Sequence, residues 1–255
     1  MKLFQLTLKT LLVRKAWVVA LLCVGVLPFV LPVLVPTEFS LGLVQPARAQ
    51  AAWVLLWLVS IFWMFGQAAR QGDSNARQGM GLYFKSMGVN GFRQLFEIWI
   101  AHAVILVPLV GVAVLVCCLG ARPSDSKEAM SWVVTNLQYA ALFLLVVLPL
   151  VMLAIALGSR LGALVGYLGS VGVSLYGLYG VGYLDVANKV ESNTLIRGLY
   201  AVSPHYRLAD LTDRLVFKMG HLEWSVFGAI ALYMVGLSLM TTAGSCFAFR
   251  TTAKS

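Results

Sequence analysis

Six stretches of the 255-residue chain run for about twenty positions or more without a charged side chain. They cover residues 16–37, 49–69, 98–121, 129–159, 161–184 and 224–249, and polar segments separate them. A hydrocarbon layer about 30 Å thick is crossed by about 20 helical residues. The pattern therefore predicts six transmembrane helices, at 16–36, 51–69, 98–119, 133–157, 162–183 and 225–248. Trp17, Trp53, Trp99, Trp132 and Trp224 stand near the starts of runs. Indoles favour the headgroup layer, so these positions are expected to mark span boundaries. Pro28, Pro32, Pro108 and Pro149 fall inside runs and are expected to kink them.

The polar segments carry patterns of their own. Before the first run, Phe4, Leu8, Leu11 and Leu12 follow helical spacing. That predicts a helix over 1–15 lying in the membrane interface, with a basic topogenic tail as the competing reading. Lys2, Lys9, Arg14 and Lys15 followed by an apolar run also resemble a signal peptide, with Ala47-Arg48-Ala49 as a small-x-small site. The run exceeds the usual 7–15 residues and the site lies well past its end, so an uncleaved first span is expected. Residues 70–97 form the longest connection on the side that holds the termini. Gly79 and Gly88 bracket an apolar-aromatic piece, Met80 to Met87, that reads as a short helix or as a loop dipping into the interface.

On the opposite side, loops 37–50 and 120–131 are short and 185–223 is long. Ser203-Pro204 is a helix start, an N-cap followed by a residue of preset φ. Leu208, Leu211, Leu215 and Met219 then trace one face, and Asp210 and Arg214 stand i, i+4 on the polar side. Gly220 is the expected stop, giving one amphipathic helix on the outer mouth. The fifth span carries Gly162, Gly166, Gly169, Gly177 and Gly180 as a stripe, suited to close helix packing in lipid. A permeation-path role is the alternative.

Composition narrows the class. Apolar residues make up 60% of the chain and charged residues 11%, against about 25% charged in soluble domains. Nineteen basic against ten acidic residues give a net charge of +9. With six spans both termini share a side. That side holds 11 basic and 2 acidic residues; the other holds 8 of each. Lys and Arg mark the cytoplasmic face, so both termini are placed there, in a bacterial inner membrane, and nucleic acid is not needed to explain the charge.

Reactive chemistry is sparse. Cys23, Cys117, Cys118 and Cys246 lie in apolar runs without metal-ligand spacing. His102 is the one ionisable side chain well inside a span, where a neighbouring helix is expected to satisfy it. His205 and His221, sixteen residues apart beside Asp210, Asp213 and Glu223, suit solvated or capping roles better than a metal site. No G-x-S-x-G, H-E-x-x-H or G-x-x-x-x-G-K-[ST] occurs, so the chain has no P-loop of its own.

This layout resembles the permease subunits of type-2 ABC transporters, in the branch linked to multicopper-enzyme maturation. Asp73, Gly79, Leu82, Ser86 and Arg93 can be laid on the pattern of its first cytoplasmic loop. Ser203-Pro204-His205-Tyr206 and Asp210-Leu211-Thr212-Asp213 resemble its outer segment. Glu97-Ile98 stands where that family often has Gly-Lys. The resemblance implies an all-α polytopic protein with one permease domain over 1–255. It would have an interfacial helix (1–15), a coupling loop (70–97) and an outer helical segment (185–223).

The resemblance also implies a cytoplasmic ATPase dimer that supplies ATP and Mg, with no cofactor in this chain. It implies a second permease copy, identical or related, and contact with membrane lipid. The coupling contact would be Met80, Gly81, Leu82, Tyr83 and Phe84, rimmed by Arg77, Lys85 and Arg93; Pro204, His205, Tyr206, Asp210 and Asp213 would mark the outer segment. Two other readings stand beside it: a membrane scaffold for cofactor or surface-protein maturation, and a membrane-embedded enzyme.

Overall fold

The computed structural model describes residues 2–34, 41–190 and 194–252. Among them every regular element is helical. In chain order these are α1 (Lys2–Val13), α2 (Ala16–Gly25), α3 (Leu27–Leu34), α4 (Leu41–Val59), α5 (Phe65–Arg77), α6 (Met80–Ser86) and α7 (Gly91–Leu115). There follow α8 (Ser126–Leu161), α9 (Ala163–Leu175), α10 (Val181–Val190), α11 (Thr194–Val202), α12 (Thr212–Val216) and α13 (Trp224–Ala248). Single π-turns at Ser60–Met64, Val116–Gly120 and Tyr176–Gly180 join α4 to α5, extend α7, and join α9 to α10. Five continuous helices are long and apolar enough to cross a membrane: Val44–Arg77, Gly91–Gly120, Ser126–Leu161, Ala163–Val190 and Trp224–Ala248. The chain is therefore an all-helical integral membrane protein.

The first apolar run departs from expectation. It is not one helix over 16–36: α2 stops at Gly25, Val26 turns at φ −107°, and α3 restarts at Leu27. Pro28 explains the break, because it has no N–H and its ring crowds the carbonyl four residues back. Residues 35 and 36 lie outside the described residues. Pro108 and Pro149, by contrast, sit within helices that continue through them. The loop expected at 37–50 is helix from Leu41 onward.

The 36-residue α8 is the central post, with α5, α7, α9 and α13 packed around it. Water drives nothing together inside lipid, so close approach depends on small residues. A Cβ on Gly72 would collide with the Ile155 carbonyl, and one on Gly158 with the Ala69 carbonyl. A Cβ on Gly166 would meet the backbone nitrogen of Gly158. These glycines bring α5, α8 and α9 to backbone contact. Toward the other end the core is aromatic: Trp53 stacks on Tyr139 at 4.0 Å between centroids, and Trp57 meets Phe143 edge-on at 4.7 Å.

Both ends of the chain gather at one end of this bundle. The Phe4 N–H donates to Glu97 Oε2 at 3.2 Å, and the Arg250 N–H donates to Ser159 Oγ at 3.0 Å. We call this the basic end. The α2–α3 pair leaves it after Lys15 and reaches the opposite end, where Phe29 fills the space a Gly120 Cβ would need.

The outer segment differs from the single helix expected from Ser203 to Gly220. A 3-10 turn, Tyr206–Ala209, and the short α12 stand in its place, separated at Asp210. Asp210 causes the break. Its Oδ1 accepts from the Thr212 N–H at 3.0 Å and from Thr212 Oγ1 at 2.6 Å, a local bond that competes with the helix ladder. Tyr206, Ala209, Leu211 and Leu215 are buried, whereas Leu208 and Met219 are exposed. Arg214 does not pair with Asp210; it donates to the carbonyls of Gly220 and His221 at 3.2 and 3.4 Å. Gly220 has φ +75°, past the end of α12.

Candidate functional site

The basic end is built around α6. Gly79 opens that helix at φ +74° and Gly88 closes it at φ +81°, conformations that cost glycine little. The closure is a Schellman turn: the Gly88 N–H donates to the Lys85 carbonyl at 3.0 Å, and the Val89 N–H to the Phe84 carbonyl at 3.0 Å. Asn90 then caps α7, its side chain accepting from the Arg93 N–H at 2.8 Å.

Buried amides fix α6 to its neighbours. Gln94 Nε2 donates to the carbonyls of Gly81 at 3.0 Å and Val89 at 2.9 Å, while Gln94 Oε1 accepts from Asn75 Nδ2 at 3.1 Å. One fully buried side chain thereby links α5, α6 and α7. On the far side of Gly81, the chain leaving α13 passes so close that a Cβ would strike the Thr251 carbonyl. Phe84 is 7% exposed and belongs to the hydrophobic core.

The proposed contact residues thus divide. Gly81 and Phe84 face inward, and Met80 is half-buried. Leu82 at 54% and Tyr83 at 61% exposure face outward, with Lys85 and Met87 also exposed. Of the basic rim, Arg93 turns back along α7 and pairs with Glu97 at 3.1 Å. Arg77 pairs with Asp73 at 2.6 Å and lies against Gly162, which has φ +98°.

The helix predicted over 1–15 docks here, by much of the face expected, with Leu12 turned out of it. Leu3, Thr7 and Leu11 are buried, Phe4 and Leu8 flank them, and Leu12 is exposed. Gln71 Nε2 reaches Thr7 Oγ1 at 3.4 Å, and Glu97 accepts from the first turn of α1. A carboxylate is favourable at a helix N-terminus. Neither Gln71 nor Glu97 carried a periodic signal, and the 70–77 stretch read as loop. It is helix because the inward Gln71 and Asn75 side chains each donate to a partner on another element.

The glycine stripe divides likewise. Gly166 meets α8 backbone, and Gly169 has Leu157 Cδ1 at 3.0 Å from where its Cβ would be. Gly177 lies under Tyr206 and the Pro204 carbonyl, and Gly180 lies beneath its own Tyr176 ring.

At the opposite end, Tyr139 donates to Asp210 Oδ1 at 2.6 Å and receives the Trp57 indole N–H at 3.1 Å. His205 meets Tyr233 Oη at 3.0 Å, and Asp213 is exposed. Burial pushes the Tyr206 phenol above the ordinary tyrosine range. His102 is buried with Nδ1 2.9 Å from the Ile98 carbonyl of its own helix, not a neighbouring one. Among the described residues no group of three His, Cys, Asp or Glu side chains is placed to hold a metal.

No protein-family model, no curated protein and no solved structure matches the chain.

Proposed function

We propose that the chain is the membrane permease subunit of an ATP-binding cassette exporter. Its partner is a cytoplasmic ATPase that supplies ATP and Mg, and a second permease copy completes the path. In this reading α2 and α3 together form a sixth, broken span. The basic end then faces the cytoplasm, because it carries most of the lysines and arginines.

The observation that supports the reading best is the two-sided character of α6. A helix that only closes a loop has no need to present Leu82 and Tyr83 to solvent while a buried amide network ties its inner side to two long helices. An exposed aromatic and aliphatic pair with a basic neighbour is a suitable anchor for a groove on another subunit. Force applied at Tyr83 would pass through Gln94 into α5 and α7, and from α5 into the central post α8.

Affinity purification from native membranes in mild detergent tests this. Wild-type protein is expected to bring down a subunit that hydrolyses ATP. Leu82→Asp and Tyr83→Asp are each expected to reduce its recovery at least tenfold, since a charge left unpaired in an interface costs about 2–5 kcal/mol. Undiminished recovery with both variants would contradict docking at α6.

A further inference from the structure

A polar cleft of about 550 Å³ opens between α1 and α5 at the basic end. Arg14, Arg70 and Arg77 line it together with Thr10, Ser74 and Gln78. Its one carboxylate, Asp73, is already paired with Arg77. Arg14 donates to the neutral Gln67 Oε1 at 2.8 Å, and no ion pair of Arg14 or Arg70 is present among the described residues. The cleft therefore carries two uncompensated guanidinium charges. Guanidinium groups bind phosphate oxygens in a forked geometry.

The cleft has a neighbour. Arg70 also borders a second groove of about 360 Å³ formed by Phe62, Gly66, Leu164 and Tyr167 on the membrane side of α5 and α9. On the other side of Phe62 lies a third groove, about 390 Å³, between α2 and α4, walled by apolar surface including Val19, Cys23 and Leu58. A cationic pocket that shares Arg70 with one groove, which in turn shares Phe62 with an apolar one, matches the layout of a diacyl phospholipid.

We propose that this site binds one anionic glycerophospholipid, its phosphate held by Arg14 and Arg70 and its acyl chains lying in the grooves on either side of Phe62. The bound lipid bridges α1, α2, α5 and α9; α1 and the residue that follows it otherwise reach α5 here through Thr7–Gln71 and Arg14–Gln67. The site does not depend on the transport reading and would exist whatever passes through the bundle.

Native mass spectrometry of detergent-purified protein tests it, after incubation with an equimolar mixture of phosphatidylglycerol and phosphatidylcholine. One molecule of phosphatidylglycerol per chain is expected to bind in preference to phosphatidylcholine. The double variant Arg14→Gln/Arg70→Gln should weaken that binding about thirtyfold, from the roughly fivefold contributed by each basic residue near a lipid surface. Arg122→Gln/Lys127→Gln, at the opposite end, should leave it unchanged. Gly66→Leu narrows the acyl groove without touching a charge and should also weaken binding. Circular dichroism on each variant confirms that helix content is retained.

Equal binding of phosphatidylglycerol by wild type and the Arg14→Gln/Arg70→Gln variant would overturn the proposal. So would full displacement of the lipid by millimolar inorganic phosphate, which would assign the pocket to a free anion.

Discussion

Tyr139 and Gln94 hold opposite ends of the bundle by similar means. Each is fully buried, and each satisfies polar groups from elements far apart in sequence. A buried donor left without a partner costs about 1–3 kcal/mol, so conservative changes at these positions should be expensive. Tyr139→Phe leaves the Trp57 indole without its acceptor and removes one donor from Asp210. It is expected to lower the melting temperature of the detergent-solubilised protein by several degrees; an unchanged melting curve would show that the network contributes nothing. The glycines allow a sharper comparison. Gly166→Ala must displace the Gly158 backbone, whereas Gly172→Ala meets nothing within 4 Å. The first should destabilise the protein and the second should be silent or slightly stabilising. Equal effects on thermal unfolding would mean that α8 and α9 are not in backbone contact.

At the scale of elements, α6 has an outer side for contact and an inner side for anchorage, and substitutions should separate the two. Phe84→Ala opens a cavity in the core and is expected to cost about 3 kcal/mol of stability. Leu82→Ala and Tyr83→Ala remove exposed side chains and should leave unfolding within about 0.5 kcal/mol of wild type. Chemical unfolding of the three variants checks this; a large loss from Tyr83→Ala would mean that Tyr83 packs inward. The flanking glycines made α6 legible in the sequence, because Gly79 and Gly88 both need positive φ. The helix over 70–77 was not legible. Its inward groups are Gln71, Gly72, Asn75 and Ala76, and a hydrophobicity pattern reads such residues as loop. They are helical because Thr7, Gln94 and the Ile155 backbone lie opposite them, which is information held in other parts of the chain. Asp210 shows the same limit in reverse: periodicity through Leu208, Leu211, Leu215 and Met219 suggested one helix, and a carboxylate bonded to its own neighbour interrupted it.

At the scale of the molecule, apolar runs translate well into membrane helices, and tryptophans translate less well into boundaries. Trp53 and Trp132 are core residues whose indoles donate to Asn136 Oδ1 at 2.9 Å and the Cys117 carbonyl at 2.9 Å. An indole can serve a headgroup layer or a buried acceptor, and spacing alone does not distinguish them. Charge asymmetry speaks to sidedness. With the native cysteines replaced, Gln78→Cys and Phe217→Cys are expected to react with an impermeant thiol reagent from opposite faces of sealed vesicles. Labelling from one face would remove the six-crossing arrangement. The most direct measurement concerns docking at α6. A photoactivatable phenylalanine is placed at Tyr83 and, in a separate chain, at Phe217, which is also well exposed, on the opposite end. Irradiation of native membranes should join the chain to a nucleotide-binding subunit from position 83 and not from position 217. No adduct at 83, or an equal adduct at 217, would contradict the proposal that α6 receives an ATPase.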